Sequence, residues 1–228
     1  MRPIDRGLAP SGGFNEYRQA FPELEKRLGS YCSYCERRLE THLAVEHVQA
    51  KSVNPALALS WDNFLLGCCN CNSCKGHTPV VIANYLWPDL NNTQLAFTYA
   101  GGQVCCAFAP DHPAHAQACA LIMLVGLDKD PGHPDPAGRP ANTDKRWERR
   151  REIYDKVRHF RQLLQRNDST AMRETLIDNA MGWGGFGIWF EVFQDDADMC
   201  LRLIKAFPGT AVACFDNHVP IPRQGALV

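Results

Sequence analysis

Apolar side chains near the start of the chain recur every three or four positions, at Phe14, Tyr17, Phe21, Leu24 and Leu28, the interval that lines one face of a helix. Pro22 breaks or restarts that run and Gly29 stops it, so one or two short helices are expected over residues 14–28. Residues 43–48, Leu-Ala-Val-Glu-His-Val, have the apolar and β-branched content of a short strand. After a loop through Asn54 and Pro55, residues 61–77 predict a strand, a cysteine knuckle and the start of a helix. Beyond residue 78 the pattern weakens: Tyr85, Trp87, Phe97 and Tyr99 around Gly101-Gly102 suggest a short hairpin or irregular packing. Residues 114–127 are an Ala- and Leu-rich candidate for a buried helix, 128–142 a Pro/Gly-rich connector, and 143–166 a basic helix. Asp168 is the expected cap of a helix ending near Met181. The glycine-rich stretch from Gly182 to Gly187 separates it from a last helix over residues 195–207. The pattern shows no internal repeat and predicts an α+β, mainly helical chain.

Composition adds the scale. With 228 residues, 45% hydrophobic and 21% charged, the chain has ordinary globular composition and suits one compact body carrying a small metal-organised module. The opening has no apolar leader and no later run approaches a bilayer-spanning length, so a cytoplasmic protein without membrane contact is expected. A net charge of -1 means that any polyanion must be met by a local patch. One candidate is residues 143–166, with nine Lys/Arg against four Asp/Glu. There Arg149, Arg150 and Arg151 read as contacts to a nucleic-acid backbone; the competing reading is a solvated face paired with Glu148, Glu152 and Asp155.

Eleven cysteines are an odd number, and in a reducing compartment clustered ones are better read as metal ligands than as a disulfide framework. Cys32-x-x-Cys35 and Cys68-x-x-Cys71 are two knuckles able to supply the four soft ligands of a structural zinc ion. A redox dithiol is the rival reading. Cys71 with Cys74 has the same spacing; Cys68 with Cys71 is preferred because it leaves Asn72 just after the knuckle. Cys69, Cys74, Cys105, Cys106, Cys119, Cys200 and Cys214 read as spare or packing thiols.

Between the knuckles an acid, an imidazole and an amide occur at short range: Glu46-His47, then Asn63, then Asn72. Phosphodiester hydrolysis needs a base for water and oxygen ligands for a divalent cation, and these residues offer both. At these positions the chain resembles the HNH, or ββα-metal, nucleases, through a first knuckle, Val-Glu-His on a strand, Trp-Asp-Asn-Phe-Leu-Leu, and C-x-x-C-N-x-x-K. The resemblance covers roughly residues 30–77. It implies His47 as general base, Glu46 and Asn72 as ligands of the catalytic cation, Asn63 as the amide that fixes the loop presenting His47, and Lys75 as a phosphate contact. Many members have Asp at the Glu46 position and His at the Asn72 position; the oxygens here suit magnesium or manganese at the catalytic site, with zinc as the staple.

The expected organisation is an N-terminal helical segment (1–30), an HNH module with zinc knuckles (31–80) embedded in a larger helical body, and a mainly helical region (81–228) with a boundary or loop near 128–142. A narrower likeness rests on the opening Met-Arg-Pro-Ile, Tyr-Cys-Ser-Tyr-Cys-Glu-Arg, Val-Glu-His, Trp-x-Asn-Phe-Leu-Leu-x-Cys and Leu86-Trp87-Pro88-Asp89. With these the chain resembles the PtuB nuclease subunits of Septu and retron-associated anti-phage systems, which implies an ABC-type ATPase (PtuA-like) partner and a DNA or RNA substrate. The alternative is a non-catalytic zinc module that binds nucleic acid or protein. Trp183, Phe186, Trp189, Phe190 and Phe193 form an aromatic cluster that reads either as a surface for the partner or as core.

Overall fold

In the computed structural model, which describes residues 1–228, the first apolar run forms a 3-10 turn at Tyr17–Ala20 and then helix α1 (Phe21–Leu28). Pro22 occupies the first turn of α1, where its missing N–H leaves no hydrogen bond unmade, and Gly29 ends the helix at φ 74°. Strand β1 (Leu43–His47) pairs antiparallel with β2 (Phe64–Cys68), with Leu43 opposite Cys68 and His47 opposite Phe64. Helix α2 (Cys69–Lys75) follows β2 without a loop. Every residue of β2 is buried, because the strand is covered on both faces, and its continuous apolar run reflects that position.

The short helix α3 (Thr93–Ala96) leads into a second hairpin, β3 (Phe97–Ala100) and β4 (Gln103–Cys106), turned by Gly101 and Gly102 at positive φ. Helices α4 (His115–Leu124), α5 (Arg146–Arg166) and α6 (Thr170–Trp183) match the expected segments. The cap of α6 does not: Ser169 accepts the Met172 N–H at 3.2 Å, and Asp168 instead pairs with Arg173 at 2.7 Å.

The glycine-rich separator also proves shorter than the pattern suggested. Gly184 and Gly185, both at positive φ, are followed directly by helix α7 (Phe186–Val192) and then α8 (Ala197–Ala206). An all-apolar helix has no amphipathic period to read. Phe186, Trp189, Phe190 and Phe193 are buried, so the aromatic cluster is core and offers no docking surface. Trp183 alone stays half-exposed, with Arg149 and Lys156 4.3 and 4.5 Å from its ring. A last ribbon, β5 (Phe215–Asp216) with β6 (Val219–Pro220), completes a mixed α/β architecture of eight helices and three two-stranded sheets. One apolar cluster runs from Met1 to Val228 and includes the ββα unit. No helix is long and apolar enough to cross a membrane.

Candidate active site and metal centre

Two tight turns bring four thiols together. Cys32, Cys35, Cys68 and Cys71 are buried with their sulfurs all within 4.8 Å of one another. The Cys35 and Cys68 sulfurs are 3.7 Å apart. A tetrahedral ion with metal–sulfur bonds of about 2.3 Å has a sulfur–sulfur edge of about 3.8 Å, so the group fits a soft metal. Cys74, which could have replaced Cys68 by spacing, is exposed and stands outside the group, as does Cys69. Hydrogen bonds from neighbouring thiols, Cys32 first, lower Cys35 to about 7 and lower Cys68 as well. Burial pushes Cys32 and Cys71 the other way, well above the ordinary thiol value, so these two would ionise only against a bound ion.

Four thiolates and a dication carry a net charge of -2, and two guanidiniums answer it. Burial opposes charge on Arg37, yet the Cys35 and Cys68 sulfurs more than offset this and raise its pKa. Arg146, at the start of α5 and 1% exposed, donates from Nη1 to Cys71 Sγ at 3.1 Å and from Nη2 to Cys74 Sγ at 3.4 Å. It also grips Asp144 at 2.7 Å and the carbonyls of Val125 and Gly126. Arg146→Ala would strand a buried carboxylate and two carbonyls, and the expected cost is ~3–5 kcal/mol in urea unfolding. The exposed Arg158→Ala should stay within about 0.5 kcal/mol; equal, small effects would show that Arg146 does not brace the cluster.

Next to this centre lies a cleft of about 170 Å³ lined by Tyr17, Glu46, His47, Lys51, Asn72 and His77. His47 ends β1, its ring packed edge-on against Tyr17 and Phe64. Its Nε2 lies 3.0 Å from the Ala58 carbonyl. A carbonyl only accepts, so Nε2 carries the proton and the neutral ring keeps a lone pair on Nδ1, which has no partner in the protein. Burial, with help from Lys51 and Lys75, lowers the His47 pKa against the opposing pull of that carbonyl. The ring is therefore neutral at pH 7.

Asn63 holds the loop that supplies this carbonyl. Its Oδ1 accepts the Gln49 N–H at 2.8 Å, while Nδ2 donates to the Gln49 and Leu57 carbonyls. Residues 49 and 57 are thereby tied together beside Ala58. Residues 32–78 match the family model for HNH endonuclease. No curated protein and no solved structure matches the chain. The strand–strand–helix order and the buried cysteine group are consistent with an HNH module over this segment.

Within the HNH segment, Glu46 is 2% exposed on the face of β1 that α2 covers. Burial raises its pKa and Lys75 opposes the rise. Lys75 Nζ stands 2.9 Å from Glu46 Oε1 without hydrogen-bond geometry, and donates to the His47 carbonyl at 2.7 Å. That carboxylate oxygen has no hydrogen-bond partner, and the half-buried Asn72 lines the same cleft as Glu46. Gly67 makes room for this arrangement: a Cβ there would lie 2.9 Å from Glu46 Cβ.

Two expected phosphate contacts are corrected by burial. Lys75 is 1% exposed and neutralises Glu46; Arg150 is 3% exposed and donates to the Gly102 carbonyl at 2.8 Å. A long cation turns inward when carbonyls and a carboxylate wait for it there, which depends on the tertiary neighbours. Arg149 and Arg151 are exposed and also pair along α5, with Glu152 and Asp155. The structure also brings in residues with no motif to announce them. Tyr17 comes from the N-terminal turn with Lys51 4.1 Å from its ring, and His77 meets Ser52 Oγ at 2.9 Å. His77, two residues after Lys75, was the one with a sequence signal, as an imidazole close to the second knuckle.

Proposed function

We propose that this chain is a metal-dependent HNH endonuclease that hydrolyses nucleic-acid phosphodiester bonds, with zinc in the Cys32–Cys35–Cys68–Cys71 centre and magnesium or manganese held by Glu46 and Asn72. The observation that carries the reading is the His47 ring, fixed through Nε2 with Nδ1 bare in a cleft shared with those two oxygen donors. His47 Nδ1 takes a proton from water, the water oxygen bonds to phosphorus, and the bond to the 3′-oxygen breaks. The ends are a 5′-phosphate and a 3′-hydroxyl, the latter protonated by solvent. When bound, the cation supplies charge stabilisation at the phosphoryl oxygens and leaving group. Asn63 keeps the imidazole aimed, and the zinc centre anchors α2, which carries Asn72.

The PtuB-like sequence segments support a finer reading, in which the chain is the nuclease effector of an anti-phage system and works with an ABC-type ATPase. Arg149 supports a substrate path outside the cleft, since it lines a groove in which Arg37, Arg38, Lys145 and Arg149 outnumber Glu148 and Glu152. One observation favours a second reading, a non-catalytic zinc module that binds nucleic acid: Glu46 is buried and already balanced by Lys75.

The deciding assay incubates the purified chain, with and without a candidate ATPase, with DNA and with structured RNA in magnesium or manganese. Cation-dependent cleavage with 5′-phosphate ends is expected, and Arg149→Glu with Arg151→Glu should weaken binding and flatten its salt dependence. Binding without cleavage in every arm would leave the module reading.

A further inference from the structure

We propose that the chain carries a second soft-metal site, built by Cys106, His115 and Cys119, that takes a zinc-class ion with one coordination position open to solvent. The three residues come from two elements: Cys106 ends β4, and His115 and Cys119 lie one turn apart on α4. One ligand atom from each falls within 4.8 Å of the others, and all three residues are half-buried. None of them belongs to the cleft around His47 or to the four-cysteine centre.

The ring of His115 is already set for a metal. Its Nδ1 lies 2.9 Å from the Phe108 carbonyl, which can only accept, so the proton resides on Nδ1 and the lone pair on Nε2. That is the arrangement by which protein carbonyls orient metal-binding imidazoles. Nε2 then faces Cys119 Sγ at 3.5 Å. A tetrahedral ion with bonds of about 2.3 Å to sulfur and about 2.0–2.1 Å to nitrogen has a nitrogen–sulfur edge of about 3.5–3.6 Å. Cys106 Sγ lies within the same 4.8 Å group and supplies the third corner; its 3.5 Å approach is to Nδ1, so it reaches an ion on Nε2 by a rotation of its side chain. No fourth protein ligand joins the group, so the remaining corner takes water.

Binding involves no redox change. The two thiols lose their protons to solvent and the ion gains two thiolates and a neutral imidazole, so loading strengthens as pH rises. The site would clamp the β3–β4 hairpin to α4. From the hairpin, Gly102 holds Arg150; from the turn after α4, Val125 and Gly126 hold Arg146 against Cys71. The second ion thereby braces the receptors that carry α5 onto the four-cysteine centre.

The test measures zinc in the full chain, purified under reducing conditions and dialysed against metal-free buffer. Cys106→Ser with Cys119→Ser is expected to hold one ion fewer than wild type, and His115→Ala to lose most of that ion, while Cys200→Ser keeps the wild-type content. A second measurement stays valid if the double variant fails to fold. Cobalt(II) added to wild type whose open, three-ligand site has been emptied by a mild chelator, with zinc kept in the four-cysteine centre, should give tetrahedral ligand-field absorption with charge transfer from two thiolates. Equal zinc in wild type and the double variant would overturn the proposal. So would wild type without tetrahedral cobalt absorption, or an intact mass short of two hydrogens from a Cys106–Cys119 disulfide in the reduced preparation.

Discussion

Replacing His47 by alanine is expected to slow phosphodiester hydrolysis by ~10²–10⁴-fold, the usual contribution of a positioned general base, with metal content and circular dichroism unchanged. The ring packs against Tyr17 and Phe64 at the end of β1, where it lines the cleft and is no part of the cysteine cluster. Asn63→Ala should act through the same ring. It unties residues 49 and 57, so the Ala58 carbonyl wanders and the loss is partial. Glu46→Ala and Asn72→Ala should instead raise the magnesium or manganese concentration needed for half-maximal rate.

The pH profile gives an independent check. A base must be unprotonated to act, and His47 loses its proton more readily than a free imidazole because burial and the nearby lysines disfavour its charge. A cation on Glu46 and Asn72 pushes in the same direction. The rate should therefore be level near neutrality and fall with acid through a midpoint below about 6.5, the ordinary histidine value. A midpoint above that value, or wild-type cleavage by two independent preparations of His47→Ala, would place the base elsewhere.

The second large effect is expected at the cysteine centre. Cys35→Ser should yield metal-free chain in which residues 32–78 are unfolded and rapidly proteolysed, and chelation of the wild type should do the same. Structural zinc binding is worth ~10–16 kcal/mol in small modules, against a total domain stability of about 5–15 kcal/mol, so the HNH segment cannot keep its fold without it. The regular backbone structure there is only two 3-10 turns, a hairpin of two five-residue strands and a two-turn helix. Cys200→Ser is the control. That thiol is buried on α8, is pushed up to about 12 by burial and donates to the Phe193 carbonyl, a bond that a serine hydroxyl also makes. Its cost should stay within the ~0.5–3 kcal/mol of an ordinary substitution. A Cys35→Ser chain that keeps its ion and resists protease would show that the four thiols are packing residues.

Arg146 shows where local reading stops. From the sequence it is one of nine cations in a basic segment; in the structure its guanidinium lies against Cys71, 75 positions away. Both arginines have a carboxylate within three residues, Asp144 for Arg146 and Glu152 for Arg149, yet only Arg149 is exposed. The difference is made by the turn after α4, which places two carbonyls and the cysteine cluster on one side of α5 and solvent on the other.

What the sequence determined by itself are features whose physics is local: the C-x-x-C spacing that puts two thiols on one turn, the Val-Glu-His strand, and the succession of strand, strand and helix over the HNH segment. Ligand spacing and side-chain period are set within a few residues, so they can be read there. Only the tertiary structure decided that Cys68 and not Cys74 completes the cysteine group, that Lys75 turns inward to Glu46, and that the aromatics of α7 are core. Those outcomes depend on which distant groups supply charge, carbonyls or apolar cover, and burial of a side chain is a property of its neighbours in space.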